Sequence, residues 1–101
     1  MENTIVRNGN TVNVTIVTPL DVLAAATLDG QLRVALDDEE IKLLEMDLKD
    51  MAYTSSAGLR VFMAMHQLMD KRGGKMVLKD PTEEVMGTFR ITCFDDIFNI
   101  E

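Results

Sequence analysis

The sequence predicts an α/β fold, a small mixed β-sheet of about four to five strands with three to four helices packed mainly on one side. Segments with strand-like and helix-like patterns alternate in the order β-β-α-β-α-β-α-β, which is typical of a sheet covered by helices. The chain has 101 residues, of which 47% are apolar, and this suits one compact domain over residues 1–101.

The first two strands are predicted on either side of a hairpin turn. The tripeptide Asn8-Gly9-Asn10 is a turn signal between two β-prone runs. In the second run Val12, Val14 and Ile16 alternate with polar residues, which indicates a strand with one buried face. Pro19 is expected to end this strand.

A first helix is predicted over residues 22–36, followed by an acidic loop over residues 37–40. One face of the helix carries apolar residues, namely Ala25, Leu28, Leu32, Ala35 and Leu36. Gly30 opposes helix formation by about 1 kcal/mol relative to alanine, whereas Asp29 and Arg33 form a favourable surface pair one turn apart. We expect the acidic loop to be solvated.

The middle of the chain predicts a buried strand and then a long helix. In "IKLLEMDL", residues 41–48, apolar side chains occupy both faces, which is typical of a central strand. The helix is expected to begin near Ala57 and to stop at Gly73-Gly74. Its expected core stripe consists of Ala57, Val61, Ala64, Met65 and Leu68, with Arg60, Gln67, Asp70 and Lys71 facing away.

The last third of the chain predicts a strand, a helix and a short final strand. Residues 75–80 form the strand, and Pro81 is expected to open a third helix that runs to Ile91. Glu83 and Glu84 in its first turn suit the helix dipole. The tail is expected to make a turn before the short final strand.

The composition excludes several classes of function. The formal charge of −7 would repel nucleic acid and anionic membrane surfaces. No apolar run approaches the roughly 20 residues that cross a bilayer, and the N-terminus lacks the pattern of a secretion signal. Cys93 and His66, each the only residue of its type, make a poor metal-ligand set. A cytoplasmic protein without a metal or cofactor is therefore expected.

Three consecutive hydroxyl residues, Thr54, Ser55 and Ser56, stand where the predicted strand gives way to the second helix. A hydroxyl here can cap the helix, act as a nucleophile, or accept a phosphoryl group, which a helix N-terminus tolerates well. A nucleophile needs a nearby base, yet His66 lies further along the same helix, about 15 Å away at 1.5 Å per residue. No catalytic residue is predicted. Capping and modification both stay open.

Four other residues carry predictions of their own. His66 is expected at the edge of the core, and Met63 on the polar side of its helix, where it could extend a contact surface. Asp47 and Asp50 lie at a strand end, where aspartate more often closes a turn than binds a metal.

Two segments, "LLEMDLKDMAYTSSAGLRVF" and "KRGGKMVLKDPTEEVMGTFRITCFDDIFNI", closely resemble the STAS domain, in particular the stand-alone anti-sigma-factor antagonists of bacteria. That family shows a strand ending in D-L, a D-S-S-G-L or S-S-A-G-L motif that opens a helix, a G-G before an aliphatic strand, and a last helix that leads into a turn with a phenylalanine. The matching positions are Asp47-Leu48, Tyr53, Ser55 to Leu59, Gly73-Gly74 and Phe94 to Phe98.

The resemblance implies a regulator that switches partners. An unmodified antagonist binds an anti-sigma factor that is also a serine-protein kinase, is released when that kinase phosphorylates it, and is restored by a PP2C-like phosphatase. The family's phosphoacceptor falls on Ser56, with Ser55 and Thr54 as fallback acceptors, and the Ser56 hydroxyl could also cap the helix. Ser55 occupies the position of the family's aspartate, and Ala57 that of the second serine of D-S-S.

The resemblance also implies a partner-binding surface at the start of the second helix and the loop before the first. Its expected members are Leu20, Asp21, Thr54, Ser55, Ser56, Ala57, Gly58, Arg60 and Met63. An alternative is a non-enzymatic accessory subunit of a lipid ABC transporter, since STAS-like domains also occur in such complexes. No sequence motif supports nucleotide binding, because the sequence lacks the G-x-x-x-x-G-K-[ST] phosphate loop.

Overall fold

A computed structural model describes residues 2–101, which form five strands and three α-helices in the predicted order. The strands are β1 (Thr4–Asn8), β2 (Thr11–Thr15), β3 (Leu43–Asp47), β4 (Lys75–Lys79) and β5 (Asn99–Ile100). The helices are α1 (Val22–Ala35), α2 (Ser56–Lys71) and α3 (Glu83–Ile91), and a 3-10 turn, Phe94–Asp96, precedes β5. The α/β fold predicted from the sequence is confirmed.

The five strands form one mixed sheet in the order β1-β2-β3-β4-β5. β1 and β2 are antiparallel, and the turn between them places Gly9 at φ +62°, a conformation that glycine adopts without penalty. The pairs β2–β3, β3–β4 and β4–β5 are all parallel. β3 is the middle strand, as predicted, but only one of its faces is fully buried: Leu44 and Met46 are buried, whereas Leu43 is half-buried.

The core lies between one face of this sheet and the three α-helices. Its buried members include Val12, Val14, Leu44, Met46, Met76 and Leu78 of the strands, Leu28 and Leu32 of α1, Phe62 and Met65 of α2, and Val85 and Phe89 of α3. The strand residues in this set alternate along the chain, so they share one face of the sheet. The prediction that the helices pack mainly on one side is therefore confirmed.

The acidic loop after α1 is exposed, as predicted, and is tied to neighbouring segments. Asp38 accepts a hydrogen bond from the backbone N–H of Glu40 and pairs with Arg7 at 2.9 Å, and these contacts lower the pKa of Asp38. Arg72, at the end of α2, donates to the carbonyl oxygens of Leu36 at 2.8 Å and Asp38 at 3.1 Å. The loop thus rests against the end of α2.

The predicted core stripe of α2 is correct only in part. The buried residues of this helix are Gly58, Leu59, Val61, Phe62, Met65 and Met69. Ala57, Ala64 and Leu68 are only half-buried. The reason is that α2 packs against three elements: one face meets the sheet and α3, while Ala57 and Ala64 line a cleft against α1. Met63 is also half-buried against the core rather than fully on the polar side, which corrects its prediction.

Local sequence signals determine where α2 ends and where α3 begins. α2 stops at Gly73, whose φ is +77°, and the N–H of Gly74 donates to the carbonyl of Met69 at 2.9 Å. α3 starts two residues later than predicted, because Thr82 caps it by accepting from the N–H of Val85 at 3.2 Å, and Pro81 stands before the cap. The predicted turn and short final strand are present.

Candidate functional site

The helices α1 and α2 begin side by side at one edge of the sheet. They follow β2 and β3, which are parallel neighbours, so both helices start near the carboxyl ends of these strands. A short bridge joins the two helix starts: the N–H of Leu20 donates to the carbonyl of Tyr53 at 3.0 Å, and the N–H of Ser55 donates to the carbonyl of Leu20 at 2.8 Å. We call residues 20–23 and 53–60 the helix-start face.

Each helix of this face has its own side-chain cap. Oδ1 of Asp21 accepts from the N–H of Ala24 at 2.8 Å, and Oγ of Ser55 accepts from the N–H of Gly58 at 3.2 Å. Ser55 has an extended backbone, whereas Ser56 is already the first residue of α2. The prediction that Ser56 could be the cap is therefore wrong, since Ser55 has that role.

The three hydroxyl groups differ in their accessibility. Thr54 is only 6% exposed, and its Oγ1 donates to the carbonyl of Ser55 at 3.1 Å, so it is the least accessible of the three predicted acceptors. Ser55 is half-buried, with its hydroxyl engaged in the cap. Ser56 is exposed, and its hydroxyl makes no hydrogen bond with the part of the chain that the structure describes. A modifying enzyme would therefore reach Ser56 most readily.

The structure revises the predicted partner-binding surface. Asp21, Ser56 and Arg60 are exposed, and Ser55, Ala57 and Met63 are half-buried. Leu20 is 0% exposed, and Thr54 and Gly58 are buried as well, so these three are not surface residues. They are buried because the Leu20–Thr54 bridge packs the two helix starts against each other. Their contribution to any interface is to hold it in shape.

Three exposed apolar residues of the helix-start face were not predicted as site residues. Val22 is 67% exposed, Leu23 is 79% exposed and Tyr53 is 41% exposed. A signal for the first two is present in the sequence, because α1 carries only two charged residues and is apolar around most of its circumference. A helix of this kind is normally covered on more than one side.

A cleft of about 430 Å³ runs between α1 and α2 from this face. Val22 and Ala26 line it from α1, and Ala57 and Arg60 line it from α2. On its α1 wall, Arg33 donates to Asp29 at 2.9 Å, and this hydrogen bond raises the pKa of the Arg33 guanidinium. Alanine and valine side chains make up most of the cleft lining, and the exposed Arg33 and Arg60 lie at its rim.

Neither a catalytic pair nor a metal cluster is found within residues 2–101. No group of three or more His, Cys, Asp or Glu side chains in this range is placed to hold a metal ion. α2 is continuous from Ser56 to Lys71, so His66 is separated from Ser56, and its ring lies at the core edge, 5.9 Å from that of Phe98. Asp47 closes a turn, as predicted, by accepting from the N–H of Lys49 at 3.0 Å.

The helices of the described residues are too short or too polar to cross a membrane.

The cap assignment leads to a stability prediction. Ser55→Ala should lower the free energy of unfolding by about 0.5–2 kcal/mol, since the N–H of Gly58 loses its acceptor. Ser56→Ala is the matched control, and its effect should stay within about 0.5 kcal/mol because its side chain is exposed. Urea unfolding of both variants measures the difference. A larger loss for Ser56→Ala would contradict the cap assignment.

Comparison with known proteins places the chain in a family. Residues 3–101 match the model of the STAS domain, so the chain belongs to the STAS domain family. Within this family it is similar to the anti-sigma factor antagonists: it is 34% identical over 94 residues to the anti-sigma-B factor antagonist of Bacillus subtilis, covering 93% of this chain and 84% of that protein. Such antagonists are non-enzymatic regulators, which agrees with the prediction that the chain is not an enzyme.

Solved structures show the same fold at low sequence identity. A Thermotoga maritima protein superimposes with a TM-score of 0.89 at 18% identity, covering 97% of this chain and 84% of that one. The anti-sigma factor antagonist SpoIIAA in its unphosphorylated form gives a TM-score of 0.80 at 14% identity, covering 98% of this chain and 86% of that one. The phosphorylated form of Bacillus SpoIIAA gives a TM-score of 0.78 at 12% identity, covering 98% of this chain and 90% of that one.

Proposed function

We propose that this protein is an anti-sigma factor antagonist whose partner binding is switched by phosphorylation of Ser56. The unmodified form binds an anti-sigma factor of the serine-protein-kinase type. That kinase transfers the γ-phosphoryl group of ATP to the Ser56 hydroxyl, with release of ADP and a proton, and the phosphorylated form dissociates. A PP2C-like phosphatase hydrolyses the phosphoester and restores the binding form. The observation that carries the proposal is the exposed Ser56 hydroxyl, in a chain similar to the anti-sigma-B factor antagonist of Bacillus subtilis.

The helix-start face supplies a physical reason for release. Val22, Leu23 and Tyr53 expose apolar surface on the same helix-start face as Ser56, and a partner that covers this face must also cover the serine. A phosphoryl group adds about −1.5 to −2 charges there and resists removal from water. Since Ser55 rather than Ser56 caps α2, the modification leaves the hydrogen bonds of the helix start intact. Phosphorylation would therefore weaken binding without unfolding the protein.

Serine in place of the family's aspartate is compatible with this role. Serine and aspartate are nearly equivalent as helix caps, because each offers a side-chain oxygen to a free N–H group of the first turn. Ser55 makes this bond with Gly58. The substitution therefore preserves the helix start on which Ser56 sits.

The proposal is tested first by phosphosite mass spectrometry on the protein isolated from its native host. Lys49 and Arg60 bound one tryptic peptide, residues 50–60, that contains all three hydroxyl residues, so fragmentation must separate them. We expect phosphate on Ser56. If no phosphate is found under several growth and stress conditions, the switch is excluded, and a constitutive binding subunit, such as a transporter accessory subunit, becomes the better proposal.

Binding measurements give a second prediction. The binding partner for this test is a serine-protein kinase that co-purifies with the protein from its native host. Ser56→Asp should weaken binding to this kinase at least about tenfold, because it places a negative charge in the proposed interface. Ser56→Ala should bind like the wild type. Ser55→Asp is the matched control, since it adds the same charge one residue earlier and keeps the cap. Isothermal titration calorimetry measures all three. Equal weakening by both aspartate variants would contradict a switch centred on Ser56.

A further inference from the structure

Arg60 is an exposed cation of α2 that has no counter-ion within residues 2–101. The ion pairs in this part of the chain involve Arg7, Arg33, Lys49, Lys79 and Arg90. Arg60 is in none of these pairs, although the chain carries 17 acidic residues. Its guanidinium group is therefore available to a new anion.

Ser56 and Arg60 lie one turn apart on the same face of α2. Both are exposed, and residues at this i,i+4 spacing have Cβ atoms about 5–6 Å apart. The anion would be on the N-terminal residue of the pair and the cation on the C-terminal one, which is the favourable order in a helix. A guanidinium can bind two oxygens of one phosphoryl group, a geometry that an ammonium group cannot match.

The other charged groups near Arg60 do not compete strongly for it. Across the cleft, Asp29 is bonded to Arg33 at 2.9 Å. Asp21 uses a carboxylate oxygen to cap α1. The next acidic residue along α2 is Asp70, which lies ten positions beyond Arg60 and so almost three turns away. A phosphoryl group on Ser56 would be the nearest strong anion on the same helix.

We propose that Arg60 is the intramolecular counter-ion of a phosphoryl group on Ser56. This proposal rests on the proposed function in that Ser56 is the modified residue. In the unmodified protein Arg60 offers a free cation, at the rim of the cleft, to an acidic group of the partner. In the phosphorylated protein the phosphoryl group binds that cation, so modification both adds an anion and removes a contact that the partner used.

The test is a titration of the phosphoryl group itself. Phosphoserine is introduced at position 56 by genetic encoding, and ³¹P NMR follows its second pKa, which lies near 6 in the absence of neighbours. The variants compared with the wild type are Arg60→Gln, Arg60→Lys and Lys71→Gln. Lys71→Gln is the matched control, since it removes an exposed positive charge from the far end of the same helix.

The expected result is a rise in the phosphoserine pKa of about 0.3 units or more in Arg60→Gln, because the dianion loses its counter-ion. Arg60→Lys should recover part of the wild-type value, and Lys71→Gln should titrate like the wild type. High salt should reduce the difference, as it does for exposed ion pairs. Equal pKa values in the wild type and Arg60→Gln, or an equal rise in Lys71→Gln, would overturn the proposal.

This experiment separates the two proposals. Phosphoserine is installed without any kinase, so the titration reports on the ion pair even if Ser56 is never modified in the host. A pKa shift with no phosphate found in the host would reject the proposed function and leave the ion pair standing. Phosphate found on Ser56 with no pKa shift would reject the ion pair alone.

Discussion

Phe62→Ala is expected to lower the free energy of unfolding by about 3–5 kcal/mol, the largest effect of any single substitution proposed for this protein. Phe62 is fully buried at the centre of the core, with its ring centroid 6.1 Å from that of Phe89 and 6.3 Å from that of Phe98, both edge-on. These contacts join α2 to α3 and to the segment before β5. Removing the ring leaves a cavity where three segments meet.

Thermal and urea unfolding measure this loss, and the melting temperature should fall by about 12 °C or more. Phe94→Ala is the matched control: Phe94 is half-buried and touches only Phe98 among the aromatic rings, so its loss should be clearly smaller. If Phe62→Ala does not fold, Phe62→Leu keeps most of the volume and should retain a measurable transition. Equal losses for Phe62→Ala and Phe94→Ala would contradict the central position of Phe62.

Gly58→Ala is expected to destabilise the protein by about 1–3 kcal/mol, although alanine favours helices over glycine. A Cβ atom at position 58 would overlap Oγ1 of Thr54 and would lie 3.0 Å from Cβ of Leu20. Relief of this overlap requires Thr54, Leu20 or the first turn of α2 to shift. All three hold the helix start that carries Ser56, so partner binding should weaken together with stability.

Gly30→Ala is the matched control, since Gly30 is also within a helix but a Cβ atom there would meet nothing within 4 Å. It should raise the free energy of unfolding by about 0.5–1 kcal/mol. The double variant Thr54→Ala/Gly58→Ala removes the hydroxyl that the new Cβ would strike, and it should be more stable than the sum of the single effects predicts. If Gly58→Ala stabilises the protein as Gly30→Ala does, that result would contradict the close packing of Thr54 and Leu20 against Gly58.

The order of the elements was predictable because local signals agree with one another along this chain. The hairpin at Asn8-Gly9-Asn10, the apolar pattern of β3 and the stop at Gly73 each act over a few residues, and the structure reproduces them. Ser55 and Ser56 show the limit of local signals. Serine is a favourable capping residue, so the residue type alone allows either serine to cap α2. Only the extended backbone of Ser55 identifies it as the cap.

The tertiary structure decided which residues of the predicted site reach the surface. Leu20 and Thr54 are separated by more than thirty positions in the chain, and no periodic pattern connects them. Their pairing at the two helix starts buries Leu20, Thr54 and Gly58 and leaves Ser56, Arg60 and Val22 exposed. The sequence by itself determined the fold and the stretch that contains the site, because periodicity and capping are local. Only the packing of α1 against α2 decided which side chains that stretch presents, because burial depends on contacts between distant parts of the chain.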